Sequence, residues 1–321
     1  MQLIPGRFFL AVLFFCSTYA FSQEKIRTKD GVQINGLKQY IEVEAKDSSK
    51  PVLLFLHGGP GFSSRSYFNS IKKGLLNDFI LVQWDQRETG ITKAWNIAPK
   101  PISTIQMHQD TEEVIAYLLH RFDQKKIYLV GFSWGGYLGL TYARNQAEKL
   151  HAYVSISGMV SNWDSEQKTL ELIEAKAQEE SLPEAIQELS RVSIPFSSID
   201  ELYFQRKWTA YFINGKNSKK SYPRNLFDHW APTWLDVFSA ASYEDFREST
   251  PSIDCPIFFM VSRKDLVANY KVTESYFDLI KAPAKELIWF ERSTHEIPSE
   301  EPKRLVEELL RIKDQIMTRN Y

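Results

Sequence analysis

Apolar runs of strand length recur along the chain at 52–56, 79–84, 127–130, 152–157, 256–261 and 286–290. They are nearly continuous rather than alternating, which predicts strands covered on both faces, as in a parallel sheet. Between them the spacing of apolar residues turns helical, at 66–76, 104–122 and 135–145 and again at 269–280 and 300–316. Strand and helix patterns alternate from 51 to 158, which predicts an α/β fold with a mostly parallel, doubly wound sheet. Two further strands are expected ahead of it, near 25–28 and 37–44, punctuated by Gly31 and Gly36. The pattern changes after 160. Charged, helix-like segments at 164–180, 183–192 and 199–213 are interspersed with Trp208, Trp230 and Trp234, and no strand run interrupts them. The expected organisation is a core of 23–160 and 251–321 with an inserted helical cap at 161–250.

The first 22 residues follow a different logic. Arg7 precedes a nine-residue apolar stretch, 8–16, and small residues follow at Thr18, Ala20 and Ser22. This reads as a signal peptide cleaved after Ser22. The apolar stretch falls short of the roughly 20 residues that cross a bilayer, so no stable membrane span is expected after its removal. The mature protein is expected in the periplasm or outside the cell. Cys16 would leave with the signal, and Cys255, then the sole thiol, could form no intramolecular disulfide. No Cys/His spacing suggests a metal site.

Composition narrows the functional classes. With 39 basic and 40 acidic residues the net charge is -1. No cationic excess exists to neutralise phosphates, so nucleic acid is not an expected partner. The lysine-containing run 216–220 reads as a solvated loop.

The sharpest chemical signal is Gly131-Phe132-Ser133-Trp134-Gly135-Gly136, which fits G-x-S-x-G. It stands directly after an apolar strand and before a helix of small residues. There the glycines allow close approach of strand and helix, and the Ser133 hydroxyl projects beside the positive end of the helix dipole. His57-Gly58-Gly59-Pro60-Gly61 ends the first buried strand. The expected oxyanion donors are the N–H groups of Gly59 and Trp134. A serine nucleophile needs a base, and the base an orienting acid. Among six histidines, His295 is the one late in the chain and just past a strand, where such sheets meet ligands. Asp265 follows the preceding strand, whereas its rival Asp254 lies at the opposite end. Ser133, Asp265 and His295 are therefore the candidate catalytic residues.

These motifs, together with Gln83-Trp84-Asp85-Gln86-Arg87 and the Trp134 after the nucleophile, resemble the α/β-hydrolase family, in particular its prolyl iminopeptidase-like branch. The resemblance covers about 30–160 and 250–315. It implies a cofactor-free enzyme whose cap selects the substrate, and a structural role for the Asp85-Gln86-Arg87 turn. The chain departs from the branch at Glu88, Phe132 and Thr294, where glycine is commoner. It also lacks a Trp-Glu pair in the cap, where prolyl aminopeptidases hold the substrate's amino group with glutamates; Glu174, Glu201 and Glu244 are the cap candidates for that role. The function expected is an exported aminopeptidase acting on short peptides. The alternatives are an esterase or lactonase acting on a small acyl substrate, and a non-catalytic binding protein on the same fold. An acidic pair facing Ser133 would favour the peptidase, and an aromatic pocket the esterase.

Overall fold

A computed structural model of the chain describes residues 24–97, 101–215 and 222–319. The signal-like residues 1–22 and the run 216–220 lie outside the described residues.

The strands are β1 (Ile26–Ile34), β2 (Leu37–Ala45), β3 (Val52–Leu56), β4 (Ile80–Asp85), β5 (Ile127–Phe132), β6 (Leu150–Ile156), β7 (Ile257–Val261) and β8 (Lys285–Trp289). They form one sheet in the order β1-β2-β4-β3-β5-β6-β7-β8. The β1/β2 and β2/β4 pairs are antiparallel and the others parallel. β3, β4, β5 and β7 are buried at every position, because helices cover both faces of the sheet. In β1 burial instead alternates, as at a half-solvated edge. Gly31 does not end this strand: it pairs with Tyr40 inside the ladder, and the chain reverses at Asn35-Gly36, both with positive φ.

Helices α1 (Arg65–Leu75), α2 (Gly90–Trp95), α3 (Thr104–Arg121) and α4 (Trp134–Asn145) accompany the first five strands. Between β6 and β7 come α5 (Asn162–Glu179), α6 (Pro183–Leu189), α7 (Ile199–Asn214), α8 (Arg224–Ala241) and α9 (Phe246–Ser249). The fold closes with α10 (Tyr270–Leu279), α11 (Ile297–Glu300) and α12 (Pro302–Arg319). On one face of the sheet, Phe68 and Ile71 of α1 and Leu305 and Ile312 of α12 pack on the strands. On the other, α3, α4 and α10 contribute Met107, Val114, Leu138 and Tyr276. α5, α6 and α7 share a small cluster of their own around Ile173, Leu189 and Trp208. α8 belongs to the main core, through Trp234, Val237 and Phe238. Ser161 and Asp245 are joined by a β-bridge, so this run of helices leaves and rejoins the sheet at one place. Among the described residues no helix is long and apolar enough to cross a membrane.

Candidate active site

Ser133 is the junction of β5 and α4, with φ 53° and ψ -114°. Such a conformation costs a non-glycine residue about 1–3 kcal/mol and persists only where its surroundings enforce it. Here the Ser133 N–H donates to the Ile156 carbonyl at 3.0 Å, and its own carbonyl accepts from Gly136 at 2.8 Å. Close packing supplies the rest: a methyl group on Gly135 would fall 2.2 Å from the Leu56 carbonyl oxygen. The flanking glycines of the motif are therefore a steric requirement of the turn.

Asp265 follows β7 in a turn where one carboxylate oxygen accepts from the N–H groups of Val267 (2.9 Å) and Ala268 (3.0 Å). The first helix after β6 is fastened to this turn. Thr169 donates to the Leu266 carbonyl at 2.7 Å, Ser165 donates to the Val267 carbonyl at 3.3 Å, and Asn269 donates from its side chain to Thr169 at 3.2 Å. Asp254 is exposed at the opposite end of β7.

His295 lies past β8 in a loop held by two acidic residues: Thr294 donates to Glu300 (2.6 Å from N–H), and Ser293 to Glu301 (2.8 Å). The imidazole is 7% exposed. Its Nδ1 lies 2.9 and 3.0 Å from the Asp265 oxygens, and its Nε2 lies 3.1 Å from Ser133 Oγ. Because a carboxylate only accepts, Nδ1–H donates to Asp265, which leaves the Nε2 lone pair for the Ser133 hydroxyl. Burial works against a charged ring, but the Asp265 carboxylate outweighs it and raises the His295 pKa above its ordinary value. The arrangement can take a proton from Ser133 and hold the resulting imidazolium. Ser133, Asp265 and His295, far apart in sequence, thus form one hydrogen-bonded chain.

Gly59 lines the same cavity, with φ 122°, and Trp134 opens α4. The loop carrying Gly59 is fixed from below by the Asp85-Gln86-Arg87 turn. The Gln86 N–H donates to His57 Nε2 (3.2 Å), its amide donates to the His57 carbonyl (3.3 Å), and its oxygen accepts from Trp134 Nε1 (3.2 Å). Buried His57 stays neutral, since desolvation lowers its pKa. Arg87 makes a buried two-pronged pair with Asp110 at 2.9 and 3.0 Å. The turn is thus a brace between the Gly59 loop and the serine turn. Glu88 takes φ 54°, a left-handed conformation that glycine adopts without strain. From above, Trp230 of α8 donates to the Pro60 carbonyl at 2.6 Å.

The cavity above Ser133 has a volume of about 430 Å³ and is mostly apolar, with Phe62, Phe132, Met159, Phe227 and Phe238 among its walls. Two carboxylates also line it, Glu166 and Glu296. Glu166 is 1% exposed and paired with Arg206, which also lines the cavity; Gln205 donates to the same carboxylate at 2.7 Å. None of the three expected cap glutamates is in the cavity. Glu201 closes a capping box at the start of α7, Glu244 pairs with Arg144, and Glu174 lies in a separate outer groove. Sequence reasoning missed Glu166, Arg206 and Trp230. All three sit within helical segments whose periodicity does not separate a cavity-facing position from any other buried one. Among the described residues, no cluster of His, Cys, Asp or Glu is placed to hold a metal ion.

Comparison with known proteins agrees with this geometry. The sequence pattern of the alpha/beta hydrolase fold matches residues 51–302. A Bacillus subtilis (strain 168) protein named "Probable aminopeptidase YbaC" is 27% identical over 304 residues, covering 84% of this chain and 91% of its own. A proline iminopeptidase of Thermoplasma volcanium is 29% identical over 143 residues, 42% of this chain and 44% of its own. Among solved structures, an esterase from Exiguobacterium antarcticum superposes with a TM-score of 0.59 at 20% identity, covering 89% of this chain and all of the esterase. An eight-stranded, mostly parallel sheet and a family match over most of its length leave one conclusion: the chain belongs to the α/β-hydrolase family and is a hydrolase.

Proposed function

We propose that the protein is a serine hydrolase, an exported aminopeptidase of the prolyl iminopeptidase type that releases the first residue of short peptides. The observation that carries the chemistry is the 3.1 Å contact of His295 Nε2 with Ser133 Oγ, backed by Asp265. Ser133 Oγ bonds to the carbonyl carbon while its proton passes to His295 Nε2. The carbonyl oxygen takes the displaced electron pair and is met by the N–H groups of Gly59 and Trp134. Collapse returns the pair, breaks the bond to the leaving amine and delivers it the His295 proton. Water then repeats the sequence on the acyl-enzyme. The reading needs no cofactor.

Two observations support a peptide substrate. The aminopeptidase-named relative aligns over 84% of this chain. Glu296, and Glu166 beside Arg206, place carboxylates in a cavity that is otherwise mostly apolar. A second reading, hydrolysis of an ester or lactone of a small acyl compound, is favoured by the aromatic lining and by the engagement of Glu166 with Arg206.

The test is turnover of proline-nitroanilide, alanine-nitroanilide, N-acetylproline-nitroanilide and nitrophenyl acetate, with Ser133→Ala as control. Cleavage of the free but not the acetylated proline amide supports the peptidase. Turnover of the ester alone, abolished by Ser133→Ala, establishes the second reading instead. Export is tested separately by mass spectrometry of the protein made in a secreting host. A mature chain beginning at Gln23 is expected, and one that keeps residues 1–22 rejects the signal reading.

A further inference from the structure

Past the last paired residues of two strands, no backbone ladder holds their ends in register. The ladder of β7 with β8 closes where the Phe290 N–H donates to the Val261 carbonyl at 2.7 Å, and both Asp265 and His295 lie beyond that bond. One buried side chain continues the connection. Ser262, the first residue after β7, donates its hydroxyl to the Ser293 carbonyl in the loop that carries His295. That donation uses its only proton, so the same oxygen accepts from the Lys264 N–H at 3.1 Å. The Ser262 carbonyl accepts from the Asp265 N–H at 3.0 Å. On the other side, the Ser293 hydroxyl donates to Glu301 at 2.8 Å, and the Arg292 N–H donates to the same carboxylate oxygen at 3.2 Å. Ser262 and Ser293 are both 0% exposed, so their bond is shielded from bulk water. An ion pair of Arg263 with Glu291, at 3.4 Å, crosses the same gap, but its side chains are 49% and 58% exposed and such a pair holds little.

We propose that Ser262 is a positioning residue of the triad: its hydroxyl ties the acid turn to the base loop and thereby sets the contact of Asp265 with His295. The inference rests on the reading of Ser133, Asp265 and His295 as the catalytic residues, but not on the choice between peptide and ester. Ser262 does not line the cavity and touches no reacting atom. It acts through the 2.9 and 3.0 Å separations of His295 Nδ1 from the Asp265 oxygens. Without the hydroxyl, the buried Ser293 carbonyl and the Lys264 N–H each lose a partner, and the two loops part as these groups seek others. Besides burial, which disfavours a charged ring, three groups act on the His295 imidazole: Asp265 and Glu296 raise its pKa and Arg206 lowers it. Glu296 is the residue next to His295, and Arg206 is on α7. Only Asp265 stands on the turn that Ser262 holds, so its contribution is the one that weakens when the hydroxyl is removed.

Ser262→Ala is compared with the parent in the full chain by two readouts. The first is the rate at which a fluorophosphonate labels Ser133 as pH is varied. Ser133 Oγ bonds to phosphorus, fluoride leaves and the serine proton passes to His295, so the acid limb reports this imidazole whatever the natural substrate. The second is the kcat and KM of the member of the substrate panel that is turned over fastest. The parental limb is expected above 6.5, and Ser262→Ala is expected to bring it down towards that value. A fall of about 10-fold in kcat with KM little changed should accompany it. Ile312→Val, which trims a core contact of α12, is expected to lower the unfolding midpoint and leave the limb at the parental pH. If Ser262→Ala does not fold, Ser262→Cys carries the test; it fills the same space with a weaker donor, and a smaller shift in the same direction is expected. A limb and kcat at parental values overturn the proposal, as does a loss confined to KM or a limb that moves as far in Ile312→Val. With Ser133 still labelled in the parent, those results defeat the role of Ser262 alone. A parent chain that the reagent does not label at Ser133 defeats the nucleophile reading, and this proposal with it.

Discussion

Two buried guanidinium–carboxylate pairs, one under the sheet's carboxyl edge and one in the helices between β6 and β7, share a chemistry but not a setting. Arg87 and Asp110 are 1% and 0% exposed, and Asp110 also accepts from Asn35 and Gln39. Both carboxylate oxygens are fully engaged, and neither residue lines the cavity. Arg206 and Glu166 are nearly as buried, with Gln205 as their further partner, yet both face the cavity above Ser133. The first pair is closed to any ligand. The second lines the cavity, where a charged group that entered would meet it. Burial by itself therefore does not separate the two pairs; facing the cavity does.

Another buried carboxylate, Asp265, sets the upper end of the scale. Asp265→Asn is expected to lower kcat by about 10⁴-fold, as loss of the orienting acid does in other serine triads. The sign of the accompanying pH shift follows from His295. The base works when neutral, so activity fails as pH falls through its raised pKa, and the acid limb of kcat/KM in the parent should lie above the ordinary value of 6.5. Without the carboxylate that limb should move to lower pH; a limb that stays put would dissociate Asp265 from the base.

Next in size, Asp110→Ala should cost about 3–5 kcal/mol in denaturant titration by stranding the Arg87 cation, while the kcat of the folded fraction is kept. Glu166→Gln should cost less, about 2 kcal/mol, since an amide oxygen still accepts from Arg206, and here KM should rise for at least one member of the substrate panel. If Asp110→Ala changed KM and Glu166→Gln did not, the distinction between the pairs would be wrong. The smallest effect belongs to Thr169→Val. Loss of its bond to the Leu266 carbonyl should cost about 1 kcal/mol and, through the Asp265 turn, lower kcat several-fold without raising KM. Thr169→Ser should restore kcat; equal loss in both variants would point to packing instead.

The same division explains what the sequence disclosed. Ser133, Asp265 and His295 each stand just past an apolar strand, and a parallel sheet brings strand ends together, so their meeting could be read from one-dimensional order. The bracing by Gln86 was expected from the family resemblance as a structural turn, although its bonds to His57 and Trp134 are visible only in three dimensions. Helix α8 is not legible in the sequence because Pro232 lies inside it, where proline ordinarily argues against a helix. Gly31 reads in the sequence as a break after the first strand, yet the ladder accommodates it opposite Tyr40. Sequence alone does not set Glu166 apart from Glu174, Glu201 and Glu244, because all four occur in charged helical stretches. Which one turns inward is decided by the pairing of α5 with α7, a contact between segments some 40 residues apart.

The bridge between Ser161 and Asp245 carries a consequence for how such a chain can diversify. It acts as a neck: whatever is strung between the two residues starts and ends at neighbouring points, so from the sheet's side a long excursion has the end-to-end distance of a tight turn. Loop-closure entropy grows only slowly with length, so lengthening or trimming the excursion at its far end, around α6, leaves the neck's geometry untouched. Exchange is restricted near the neck itself. There α5 is fastened to the Asp265 turn and α8 to Pro60, so a transplant that discarded those anchor points would carry a new roof onto loosened catalytic loops.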